Sequence, residues 1–197
     1  MIVLQVGSTS KLMMSEAFYS RFIEFDYILV TQLDTYIFRD ELLYWCQKGY
    51  DYIGAPWIPS IYHRLPVSKL TASIKAKYCE IFNIPNSHDI HYNVGNGGLS
   101  LRKVSSHLRA VTDLPDVINY FINHKRNSMF HEDVFFSLEV NKHGSNFKYP
   151  DFKEALNFSF DIHPKICFKM NGEKLPFGCH GWHKIRMQKF WKQIITF

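Results

Sequence analysis

The sequence predicts an α/β domain built on a mainly parallel sheet flanked by helices, and three observations predict it. Residues 25–33 (FDYILVTQL) are an apolar, β-branched run of the kind buried on both faces inside a sheet. Residues 41–48 follow with Leu42, Leu43, Trp45 and Cys46 at helical spacing, Asp40 able to cap them and Gly49 to stop them. Residues 52–55 are a second short strand, closed by Pro56. Strand, helix, strand in that order marks a crossover between parallel strands.

The remaining elements follow in chain order. Residues 57–92 are irregular, with a helix expected over 67–82 among Pro59, Pro66 and Pro85. Residues 99–102 form a short strand after a glycine cluster. Helices are then expected near 103–110, 116–125 and 132–140, and a basic, aromatic one over 185–196. No internal repeat or low-complexity linker interrupts the 197 residues, so a single domain spanning 1–197 is expected.

Composition narrows the function. Hydrophobic residues at 46% and charged residues at 21% are ordinary for a globular protein, and no run approaches the roughly 20 apolar residues of a membrane helix. The opening MIVLQVG lacks the basic region of a signal peptide. Four cysteines (46, 79, 167, 179) without CxxC spacing read as reduced thiols of a cytosolic protein. A net charge of +5 suits nucleic acid, an anionic membrane surface or a phosphate-bearing substrate. No nucleic-acid partner is expected, because no helix-turn-helix, zinc or RNA-platform signature accompanies the charge. P-loop, Gly-x-Ser-x-Gly and Rossmann signatures are absent too, which removes kinases, serine hydrolases and dehydrogenases.

Four short segments carry the chemistry. Gln32-Leu33-Asp34 stands where the first strand emerges, and side chains two apart share a face, so Gln32 and Asp34 point together while Leu33 packs away. Two oxygen-bearing side chains there could hold a hard cation that also binds phosphates; a capping acid after a strand is the plainer alternative for Asp34. Asn96-Gly97-Gly98, preceded by Gly95, permits positive φ and close approach of the backbone to a ligand, or is simply a tight turn. Glu132-Asp133 opens an apolar helix, where acids also occur for dipole reasons alone. His180 stands in PFGCHGW, and Trp57 and Trp182 are able to stack on sugar faces or to fill the core.

In this order the segments resemble the signposts of GT-A glycosyltransferases: an acidic "DxD" strand end, a glycine loop, an "xED" acid and a late histidine. The words YDYIGAPW (50–57), VGNGGLSLR (94–102), EDVFFS (132–137) and PFGCHGW (176–182) look like a bacterial family of that group, over about 11–182. The resemblance implies a GT-A-like fold and transfer of a sugar from a nucleotide-diphosphate sugar to an acceptor hydroxyl, in surface polysaccharide or glycan synthesis. It implies that Asp34 and His180 hold a divalent cation, Mn²⁺ or Mg²⁺, with Gln32 departing from the usual first acid. Asp133 matches the general base of the inverting enzymes, with Glu132 beside it. Gln32, Asn96, Gly97, Gly98, Trp57 and Trp182 are implied to bind donor and acceptor.

Only 33 residues precede Asp34, where the resembling fold places a strand and loop for the nucleoside. That part is short or missing here, which predicts either the C-terminal part of a longer protein or a reduced donor site. The alternative function is a non-catalytic carbohydrate-binding remnant. The basic, aromatic stretch 183–192 further predicts a cytoplasmic protein in weak peripheral contact with the inner membrane, or a helix packed on the domain with a solvated basic face.

Overall fold

The computed structural model describes residues 10–60, 73–74, 77–79, 81, 86–124 and 127–195. Most of the helix expected over 67–82 lies outside the described residues.

Two short helices, α1 (Ser10–Met13) and α2 (Glu16–Ser20), lead into strand β1 (Tyr27–Thr31), which a tight turn at 32–34 joins to β2 (Thr35–Ile37). Helix α3 (Leu42–Gln47) and strand β3 (Tyr52–Gly54) follow, then β4 (Leu99–Lys103). Asp40 does not cap α3: Glu41 holds the N-cap position without a side-chain bond, while Gly49 ends the segment at a φ of +73°. Next come α4 (Val104–Asp113), α5 (Pro115–Asn123) and a helix, α6, in three stretches: Glu132–Val134, a π-helical Phe135–Glu139, and Val140–Lys142. The chain closes with α7 (Phe152–Phe158), β5 (Ser159–Phe160), α8 (Pro164–Met170), β6 (Gly178–His180) and α9 (Ile185–Trp191).

The fold is mixed α/β, and its sheets are not mainly parallel. In the first sheet, ordered β1-β4-β3, β4 runs antiparallel to both neighbours, with Leu29 opposite Leu101 and Ile53 opposite Leu101. In the second, ordered β2-β6-β5, β2 and β6 are antiparallel, and β5 and β6 supply the parallel pair. The crossover through α3 does make β1 and β3 run the same way. A strand that arrives 45 residues after β3 then inserts between them in the opposite sense. Local sequence encodes the crossover but not which later strand fills the gap.

Burial on both faces holds, because side chains alternate across the first sheet. Ile28, Val30 and Tyr52 face the largest core, built with α2, α4, α5 and α6. Leu29, Ile53, Leu99 and Leu101 face a second, with Trp45 of α3 and Phe158 of α7. A third core gathers Phe160, Cys179 and the C-terminal helix, where Trp191 is wholly buried. The aromatic side of α9 is thus committed to the domain, with Ile185 and the basic residues on its outer face. All four cysteines are free thiols, and no helix among the described residues is long and apolar enough to cross a membrane.

Candidate functional site

The four segments meet around one cleft of about 540 Å³, lined by Gln32, Trp57, Asn96, Gly97, Gly98, Glu132, Asp133, Asp161 and His180 together with Ser10, Lys11, Met14, Ile122 and His131. The reason lies in the glycine loop. A Cβ on Gly97 would stand 2.1 Å from Oε1 of Glu132, one on Gly98 2.4 Å from the His180 ring, and one on Gly95 1.8 Å from the Trp57 ring. Each glycine makes room for a side chain from a different part of the chain. The close approach expected toward a ligand is first of all an approach to the site's own residues. The positive φ falls on Asn96, at +79°, whose buried Oδ1 accepts from the Gly98 N–H at 2.6 Å.

One wall of the cleft is the first turn of α6, and its two acids leave in different directions. Glu132 is buried: Oε1 accepts from Nη2 of Arg102 at 3.2 Å and Oε2 from the Ser10 hydroxyl at 3.4 Å. Arg102 is wholly buried in β4, donating also to the Ser100 hydroxyl and the Tyr19 phenol, each at 3.0 Å, with Tyr52 and Phe136 rings beside its guanidinium. Burial pushes the Tyr19 phenol up to about 12, against the lowering effect of Arg102, so it stays a neutral partner. Asp133 is half-buried, faces the cleft and has no ion pair among the described residues. Its pKa is raised to about 7, first by desolvation and then by the neighbouring Glu132 carboxylate. Hydrogen bonds from the Val134 and Gly97 N–H groups and the charge of Arg102 pull the other way without cancelling the rise. The π-helical stretch directly after these acids breaks the regular spacing of α6, as such segments often do at functional sites.

The opposite wall comes from the β1–β2 turn and β6. Antiparallel pairing sets Thr35 opposite His180, and the Gly181 N–H bonds the Asp34 carbonyl, which seats His180 beside the turn. Nε2 of His180 lies 2.9 Å from Oε1 of Gln32 and 3.1 Å from Oδ1 of Asp34; Nδ1 lies 3.0 Å from Oδ1 of Asp161. His183 reaches the other oxygen of Asp34 at 3.5 Å. Gln32 and Asp34 both reach Nε2 of His180, from a turn just past the strand. Leu33 does not pack away: it is 75% exposed.

Among the described residues, no three His, Cys, Asp or Glu side chains gather as a ready metal-ligand group. Three atoms nonetheless converge: Nε2 of His180, Oδ1 of Asp34 and Oε1 of Gln32. The two separations, 2.9 and 3.1 Å, are ordinary hydrogen-bond lengths, and adjacent ligands of a six-coordinate cation with bonds of about 2.1 Å stand about as far apart. One imidazole, one carboxylate and one amide oxygen fit part of a coordination shell, leaving the remainder to phosphate oxygens or water.

Trp57 lines the cleft but is only 9% exposed, its ring laid against Gly95, so little of it is open for stacking. Trp182 is not part of the lining; it packs, half-buried, against the third core. Sequence reasoning missed Arg102, Tyr19, Asp161 and His183. The spacing His180-x-x-His183 was the one local signal for any of them.

No curated protein and no solved structure matches the chain. A family described as a protein of unknown function, DUF5672, matches it over residues 2–180. That span holds both walls of the cleft and nearly every strand and helix described above, and the chain belongs to the DUF5672 family.

Proposed function

We propose that the protein is a glycosyltransferase of GT-A type, moving a sugar from a nucleotide-diphosphate sugar to an acceptor hydroxyl with inversion of configuration. The observation that carries this reading is geometric: Asp133, a carboxyl without an ion pair among the described residues, shares one cleft with Gln32 and His180, with Asp34 against His180, and burial together with the Glu132 carboxylate raises its pKa. A base whose pKa lies near the working pH takes a proton most effectively. Asp133 accepts the proton of the acceptor hydroxyl as that oxygen bonds to the anomeric carbon. The bond to the diphosphate breaks on the opposite face of the sugar. Glu132 cannot share the task, since its oxygens are held by Arg102 and Ser10. Gln32, Asp34 and His180 are the residues that would hold a divalent cation, which when bound supplies electrostatic stabilisation to a departing diphosphate.

A binding-only reading has one observation in its favour, the neutral Gln32 in place of a first acid. Incubation with a panel of nucleoside diphosphate sugars and Mn²⁺ separates the two. Release of nucleoside diphosphate, dependent on Asp133, supports the enzyme; binding of donor or glycan with no release supports the remnant.

A further inference from the structure

His180 is touched from all sides: by Gln32 and Asp34 at Nε2, by the backbone of Gly98 against its ring, and by Asp161 and Asn96 at Nδ1. Asp161 belongs to none of the four segments. It arrives because β5 runs parallel to β6 with Phe160 opposite Cys179, which brings the next residue of each strand, Asp161 and His180, alongside. Both side chains are largely shielded, 13% and 10% exposed. For an imidazole to offer Nε2 to a cation or a phosphate, its proton must sit on Nδ1, and that proton needs an acceptor. Two groups lie there. Asn96 turns its NH₂ toward Nδ1 at 3.5 Å, since its oxygen is taken by the Gly98 N–H. That leaves Oδ1 of Asp161, at 3.0 Å, as the acceptor.

We propose that Asp161 is a positioning residue for His180: it holds the proton on Nδ1 and so aims Nε2 into the space shared with Asp34 and Gln32. The assignment rests on the proposed function insofar as a cation is what Nε2 serves. Without a cation Nε2 faces two acceptors of its own, Gln32 Oε1 and Asp34 Oδ1, so the metal-free ring is the stringent test of whether Asp161 holds the proton on Nδ1.

The test uses the full chain, ¹⁵N-labelled and metal-free, with the His180 signals identified by their loss in H180Q. A protonated Nδ1 is expected in the wild type and in D161E, and not in D161N, whose amide can turn a second donor toward the ring. Titration with Mn²⁺, followed by electron paramagnetic resonance, should show D161N binding about 10- to 100-fold more weakly, the usual cost of removing a carboxylate behind a metal-binding histidine, with D161E recovering part of the loss. Nδ1 without a proton in the wild type, or D161N binding Mn²⁺ as tightly as wild type, overturns the assignment. If wild type binds no Mn²⁺, the cation leaves the proposed function, and the Nδ1 signal alone decides the role of Asp161. If D161N does not fold, as judged by circular dichroism, the comparison of wild type with D161E decides it.

Discussion

The two walls of the cleft use the same kinds of side chain to opposite ends. On the α6 wall, charge is neutralised in the interior: Arg102 spends its guanidinium on Glu132, Tyr19 and Ser100, and Asp133 is left as the one acid there without a cation. On the β2–β6 wall one imidazole, about as shielded as Glu132, is held between Asp34 and Asp161 with no guanidinium beside it. The partner makes the difference. A sealed ion pair fixes the backbone and silences its members, while the acid beside it, deprived of water and repelled by its neighbour, has its pKa lifted toward neutrality. Two adjacent carboxyls thereby stand in different environments.

The largest expected effect breaks that division of labour directly. D133N should lose about 10²- to 10⁴-fold in sugar-transfer turnover, the usual yield of a general base, with donor affinity measured calorimetrically nearly unchanged. E132Q should lose less turnover. Equal losses in the two variants would mean that the walls do not divide their acids as described. R102M asks about the silent partner. It strands Glu132 as an unpaired buried acid and should cost about 3–5 kcal/mol in urea unfolding, with R102M/E132L recovering much of the loss, because two apolar side chains replace the whole pair.

How much of this was readable in advance differs between the walls. Asp34 and His180 stand out as titratable side chains and the glycines by their clustering, and their order in the chain resembles a known arrangement. Arg102 does not stand out. In Leu99-Ser100-Leu101-Arg102 the polar alternates share one face of the strand, and that face turns into the largest core, because α2 and α6 pack over it. Asp161 was equally hidden, since its partner is 19 residues away and the parallel pairing that joins them spans two residues of each strand. The antiparallel insertion of β4 had no local signal at all. The glycines predict a close approach or a tight turn, and the space they open is used by Glu132, His180 and Trp57.

Smaller perturbations sharpen the same contrast. G98A puts a methyl group into the His180 ring and should cost about 1–3 kcal/mol in stability through overpacking. It should also weaken Mn²⁺ binding, while leaving the Arg102–Glu132 pair untouched. Equal Mn²⁺ affinity in G98A would show that the ring position does not matter to the cation. A further effect is on the pH dependence of stability. A carboxyl whose folded-state pKa is raised from 3.8 to about 7 binds its proton more tightly folded than unfolded. It therefore costs nothing well below pH 4, and the cost grows as pH rises to about 7 and then levels off. D133N removes that cost, so it should melt above wild type at pH 8, with the gain shrinking through neutrality and gone near pH 4. A constant difference at all pH values would mean that Asp133 is not perturbed in this way.

The base role of Asp133 is tested most directly by the pH profile of sugar transfer, read as kcat/KM between pH 5 and 9 for wild type and D133N. Wild type should rise with a midpoint near 7, the value set by burial and by the Glu132 carboxylate, and the residual activity of D133N should lack that limb. A wild-type profile flat through neutrality, or the same rising limb persisting in D133N, would contradict it.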